Sequence, residues 1–185
     1  MDSRRLFLAV PVSDRIRSAI LNHLRDHCGR KPLPGRVARP ESWHFTLKFL
    51  GNVLEAQYDS LLSATNSLGL GKEFELTFDG LGAFPRPSKA SVLWIGVEKG
   101  AEELCRLAAL VEDAATSTGF PADNRPFHPH LTLSRIRPPE PVDSLLSGVA
   151  PLKITMVVSE IVLYQSHLGK EGARYQVLDR FALKT

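Results

Sequence analysis

The sequence predicts an α+β fold made by internal duplication: two antiparallel-rich sheets line a central cleft and carry helices on their outer faces. Three observations lead to it. The pattern Arg-Pro-x-x-x-His-x-Thr-Leu occurs twice, from Arg39-Pro40 to His44-Phe45-Thr46-Leu47 and from Arg125-Pro126 to His130-Leu131-Thr132-Leu133, at a constant offset of 86 residues. The segments before each copy run in the same order, which marks an internal repeat. Strand and helix signals then mix without a long run of parallel crossovers, the mark of an α+β arrangement rather than a doubly wound one. With six His and eight Thr in 185 residues, only about 0.3 His-x-Thr triplets arise by chance, so two copies with matching flanks are not an accident.

Each element has its own warrant. Leu6–Val10 is a short apolar run and reads as a buried strand. Ser13 is an N-cap candidate, and Ile16, Ile20, Leu21 and Leu24 follow at helical spacing up to Gly29. Pro32, Pro34 and Gly35 break the chain before the first motif. Applied to this unit, the offset of 86 lands on an apolar strand at Val92–Gly96. It lands next on a second helix with Leu104, Leu107, Ala108 and Val111 at helical spacing, and then on breakers at Gly119, Pro121 and Pro126. The repeat is therefore expected to carry no net insertion. After the motifs come helices near 55–68 and 142–147, strands at 74–78, 152–164 and 175–183, and hairpin joins around 85–88 and 169–172. The expected organisation is a single catalytic domain over residues 1–185, made of two pseudo-symmetric lobes whose repeat units start near residues 4 and 90.

Composition narrows the function classes. Hydrophobic residues make up 43% and charged residues 23%, as in an ordinary globular protein. A net charge of +3 is too small for coating long nucleic acid but suits a local basic cleft holding a few phosphates. Cys28 and Cys105 form no disulfide framework or zinc knuckle. The short apolar run near the N-terminus is followed at once by a polar helix, so no signal peptide and no membrane span are expected. A cytoplasmic, monomeric protein is the expectation.

The two motifs carry the chemistry. On a strand, residues i and i+2 share a face, so His44 and Thr46 face one way and Phe45 and Leu47 the other; His130, Thr132, Leu131 and Leu133 repeat this. Two imidazoles facing each other across the cleft, one neutral and one protonated, can act as base and acid in one step. The threonine hydroxyls can donate to non-bridging phosphate oxygens. Five residues beyond each histidine stand Phe49 and Arg135, an aromatic ring to stack a nucleobase and a guanidinium to hold phosphate. The odd spacing puts both on the wrong face unless the strand ends, bends or bulges, and core packing is the alternative for Phe49. No carboxylate or cysteine pair accompanies the motifs, and His128, two before His130, has no evident third ligand, so neither metal nor cofactor is expected. His23 and His27 read as a solvated helix face. Arg86, Lys89, Lys170 and Arg174 flank turns, where solvated loop charge or an RNA entry path are both open.

These residues resemble the two-histidine (2H) phosphoesterase superfamily, and specifically bacterial RNA 2′,3′-cyclic phosphodiesterases, also called 2′-5′ RNA ligases. The likeness spans Arg5–Ala9, His44–Gly51, Asn124–Arg135, Tyr164, Tyr175 and Phe181–Leu183. The resemblance implies a bilobal fold with the cleft between the lobes, no metal, and RNA ends or small cyclic nucleotides as partners. It implies His44 as proton donor, His130 as proton acceptor, Thr46, Thr132 and Arg135 as phosphate ligands, and Phe49 as the stacking ring. The implied reaction opens a terminal 2′,3′-cyclic phosphate to a 2′-phosphate. The alternatives are 2′-5′ ligation of RNA halves, or a non-catalytic module that binds nucleotides or RNA ends.

Overall fold

In a computed structural model, which describes residues 3–29, 32–169 and 172–185, the apolar run Leu6–Val10 is the buried middle of strand β1 (Ser3–Pro11). Helix α1 (Asp14–Cys28) follows and buries Ile16, Ile20 and Leu24. Leu21, expected on the same stripe, is 43% exposed. It stands one residue, about 100°, past Ile20 and so rotates out of the buried face. The chain continues through β2 (Arg36–Val37), a one-turn 3₁₀ helix at Pro40–Ser42, the first motif strand β3 (His44–Leu54) and α2 (Glu55–Asn66). The hairpin β4 (Phe74–Phe84) and β5 (Ala90–Lys99) leads into α3 (Ala101–Ser117), which buries Leu104, Leu107, Ala108 and Val111 as its spacing requires. The second motif strand β6 (Leu131–Glu140), α4 (Asp143–Gly148) and strands β7 (Thr155–Val158), β8 (Glu160–Gly169) and β9 (Gly172–Ala182) complete the chain. The expected 152–164 strand is thus two strands separated at Ser159. Of the turn cations, Lys170 lies outside the described residues.

The strands form two antiparallel sheets, ordered β3-β1-β8-β9 and β2-β6-β5-β4-β7. Each motif strand pairs with the strand that opens its own repeat, β3 with β1 and β6 with β5. Each repeat also sends a later strand into the other sheet: β4 lies beside β5, and β8 lies beside β1. This exchange ties the two sheets to one core. Helix α3 packs against β3 and α2 as well as β5.

The expectation of a repeat without net insertion needs correction. Thr46 pairs with Ala9 and Phe49 with Phe7, whereas Thr132 pairs with Trp94 and Arg135 with Val92. The partner strands are therefore offset by 85 residues (Ala9 to Trp94), one less than the motifs. The difference decides a face, since a slip of one residue turns every side chain over. The uniform offset would equate Phe7 with Leu93, a wholly buried residue on the core side. Burial of the apolar face sets the register, and it overrides the spacing read along the chain.

Candidate active site

Strands β3 and β6 lie against one another where the two sheets meet, which brings the two motifs together. Burial alternates as expected: Phe45, Leu47, Leu131 and Leu133 are in the core, while His44, Thr46, His130 and Thr132 are partly exposed. His130 itself precedes β6 by one residue. The odd spacing to Phe49 and Arg135 is resolved by a β-bulge in each strand. Ala9 opposes Thr46 and Leu8 opposes Lys48, leaving Leu47 as the extra residue; Trp94 opposes Thr132 and Leu93 opposes Ser134, leaving Leu133. One extra residue reverses the alternation. In both strands two consecutive side chains are then buried, Leu47-Lys48 and Leu133-Ser134, and the following residue returns to the side of the histidine. Phe49 is 57% exposed and its ring lies 5.6 Å from that of Phe7. It is not a core residue.

The histidines are held in matching ways. His44 Nδ1–H donates to the Ser42 carbonyl at 2.7 Å, and His130 Nδ1–H donates to the His128 carbonyl at 2.7 Å. A carbonyl can only accept, so each neutral ring carries its proton on Nδ1 and its lone pair on Nε2. His44 Nε2 accepts from the Thr46 hydroxyl at 2.9 Å. The sites differ in electrostatics only by degree. Burial lowers the His44 pKa to about 4; the Ser42 hydrogen bond opposes this, and the charges of His130 and Arg135 add to it. Burial likewise lowers His130, opposed by its bond to His128 and reinforced by the charges of His128 and Arg135. His44 therefore feels both His130 and Arg135 across the cleft, and with no ligand bound both rings are neutral at pH 7. The expectation of one neutral and one protonated ring is therefore not met in the ligand-free site.

Such a pair of imidazoles, flanked by hydroxyls and one guanidinium, is suited to moving two protons about an anionic centre. The model of the 2′-5′ RNA ligase superfamily matches residues 11–170. The chain belongs to this superfamily. It is 36% identical over 162 residues to an RNA 2′,3′-cyclic phosphodiesterase of Aeropyrum pernix, covering 85% of this chain and 92% of the relative. A protein of the same name from Archaeoglobus fulgidus is 34% identical over 96% of this chain and 99% of its own. The crystal structure of Escherichia coli LigT complexed with 3′-AMP superposes with a TM-score of 0.80 at 29% identity over the whole of both chains. The chain is thus a member of the RNA 2′,3′-cyclic phosphodiesterase family, a family of hydrolases.

Within this family member, the cleft is more aromatic than the motifs announce. Phe7, 1% exposed, forms a floor touching His44 (ring centroids 4.8 Å apart), Tyr164 (5.2 Å) and Tyr175 (4.9 Å). Tyr175 meets the His44 ring edge-on at 5.2 Å. On the other sheet Trp94, Phe84 and His128 surround His130. Gly82 makes this possible: a Cβ there would fall 2.2 Å from the Trp94 ring, so only glycine lets the indole lie across β4. Trp94 and Phe84 were not candidates from the sequence, because nothing in spacing separates a cleft tryptophan from a core one. A cavity of about 690 Å³ opens beside His44, bounded by the first turn of α1, Tyr164, Tyr175 and Arg180. It adjoins His44 but does not reach His130, so it flanks the motif pair and is not its centre. Among the described residues no group of three or more metal-ligating side chains occurs, and no helix is long and apolar enough to cross a membrane. His23 is less solvated than expected: its Nε2 bonds the Ala150 carbonyl at 2.8 Å.

Lys48 also escaped the sequence reading. It is 2% exposed and its Nζ reaches Glu112 Oε2 at 2.8 Å, Asp123 Oδ2 at 3.2 Å and the Pro121 carbonyl at 2.9 Å. The bulge at Leu47 turns this side chain inward. It ties the first motif strand to α3 and to the loop that leads into the second motif.

Proposed function

We propose that the protein hydrolyses terminal 2′,3′-cyclic phosphates of RNA to 2′-phosphates by metal-independent acid–base catalysis between His44 and His130. His130 Nε2 takes a proton from water as the water oxygen forms its bond to phosphorus. The bond from phosphorus to the 3′ oxygen breaks, and His44 Nε2–H gives its proton to that oxygen. His130 ends protonated and His44 neutral, and exchange with solvent restores the starting forms. The observation that carries this reading is the matched pair of Nδ1–H bonds to backbone carbonyls, which leaves both Nε2 atoms available for proton transfer.

Both rings are neutral in the free protein at pH 7, so His44 takes its proton from solvent as the anionic substrate binds. A cyclic phosphate is a permanent monoanion, and its approach offsets the burial that depresses His44. Protonation of His44 Nε2 turns that atom from acceptor to donor and frees the Thr46 hydroxyl for a non-bridging oxygen. Thr132 and Arg135 provide the remaining anion contacts, and Phe49 stacks the terminal base. Escherichia coli LigT, a structural relative, has been crystallised with 3′-AMP, in keeping with a cleft for nucleotides.

Two outcomes test this. Phosphorus NMR of the product from a 2′,3′-cyclic nucleotide should show the 2′-phosphate; a predominant 3′-phosphate means that donor and acceptor are exchanged. Stacking on an aromatic ring is worth roughly 1–3 kcal/mol per base, so Phe49→Ala should raise KM about ten-fold with kcat little changed. Since Phe49 is exposed, the variant should melt near the wild type; a large fall in Tm with unaltered KM would assign Phe49 to structure alone.

A further inference from the structure

Strand β2 consists of Arg36 and Val37 alone, and it adds to the free edge of β6 with Arg36 directly opposite Arg135. The pairing continues through Ala38, whose N–H bonds the Leu133 carbonyl at 2.7 Å. Directly opposed residues share a face, so the Arg36 side chain leaves the strand on the same side as Arg135, whose charge is felt by both histidines and by Tyr175. Opposed like charges destabilise a sheet. Here the backbone enforces the opposition. Gly35 has φ +73°, and a Cβ on it would sit 2.4 Å from the Arg135 carbonyl oxygen, so the loop descends onto β6 at this point only because it carries glycine. Both arginines are exposed, and among the described residues no carboxylate pairs with either. Arg36 also reaches the other sheet: its Nη2 lies 3.1 Å from where a Cβ of Gly172 would be, at the start of β9. It therefore bridges from the edge of one sheet to the start of β9 in the other, one strand out from Arg135.

A pair of guanidiniums held together at a cost in stability fits a ligand with two adjacent negative charges. A cyclic mononucleotide with a free 5′-hydroxyl has one. The end of an RNA strand has two, the cyclic phosphate and the phosphodiester on the 5′ side of the same ribose. Neighbouring strands run about 5 Å apart, so Arg36 leaves the backbone one strand farther out than Arg135, on the side where the next phosphate along the chain would lie. We propose that Arg36 binds the phosphodiester immediately upstream of the scissile terminus, so that the substrate is an RNA strand of two or more nucleotides. This proposal rests on the cyclic-phosphate reading above.

The experiment compares wild type, Arg36→Gln and Arg36→Lys on 2′,3′-cyclic AMP and on a short RNA oligonucleotide ending in a 2′,3′-cyclic phosphate, over about 50–200 mM salt. For Arg36→Gln, kcat/KM on the oligonucleotide should fall about ten-fold, and its logarithmic dependence on salt should become shallower by about 0.7. Turnover of 2′,3′-cyclic AMP should be unchanged, Arg36→Lys should keep the salt dependence, and Tm should not fall. Equal losses on both substrates, or no loss on the oligonucleotide, overturn the assignment of Arg36 while leaving the cyclic-phosphate reading intact. Failure of the wild type on both substrates overturns that reading instead.

Discussion

His44→Ala and His130→Ala should each lose about 10²–10⁴-fold in kcat, the usual contribution of one general acid or base. In the proposed mechanism both groups act in one transition state, so the double variant should fall little below the worse single one. The pH dependence gives a sharper test. With His44 at about 4 and His130 also below 6.5, the singly protonated pair is most abundant on the acid side of 6.5. The kcat/KM profile, which reports the free enzyme, should therefore be a bell centred below 6.5, with activity falling as pH rises toward 8. Its two limbs belong to the coupled pair rather than to either ring. Bound anion raises both pKa values, so the kcat bell should lie at higher pH, and each single variant should lose one limb. The same shift acts on stability. As pH falls below 6.5 the unfolded chain takes up the proton before the folded one does, so stability should decline from about 6.5 down to about 4. Full turnover in either single variant, or a kcat/KM bell centred above 7, would remove the two-histidine mechanism.

Lys48→Met should destabilise the protein by on the order of 2 kcal/mol, because it removes the charge-assisted hydrogen bonds that the buried ammonium makes to Glu112, Asp123 and the Pro121 carbonyl. Methionine fills the space of the lysine stem, so the loss reads out the charge and not a cavity. For a chain of this size that is a fall in Tm of roughly 4–8 °C. Glu112 and Asp123 are 27% and 59% exposed, which keeps the effect below that of a fully enclosed pair. The network also has a pH signature. Burial alone would raise Glu112, but the bonds from Lys48 and the Asp123 N–H, with the Lys48 charge, hold it below its ordinary 4.5. A depressed carboxylate contributes stability above 4.5 that disappears as pH falls through its folded value, and Lys48→Met should flatten this acid limb. Thermal melts of both proteins from neutral pH down to the acid range decide the matter. A variant as stable as the wild type at pH 7 would show that the ions merely balance their own desolvation.

The two histidines, the two threonines and the helix that follows each opening strand were all legible along the chain. Periodicity, a repeated motif and the alternation of faces are local properties, and local properties survive without knowledge of the fold. Which face Phe49 and Arg135 take was not legible, since parity placed them away from the histidines and only the bulges at Leu47 and Leu133 return them. A bulge answers to the partner strand, which the motif does not contain. The same reason hid the one-residue difference between repeats, the inward turn of Lys48 and the opposition of Arg36 to Arg135. Each depends on hydrogen-bond register between segments distant in sequence, and register is settled by which faces the whole core can bury. The chemistry of the site therefore lies in residue identity and short spacing, while its geometry is set by pairings that form only when the chain has folded.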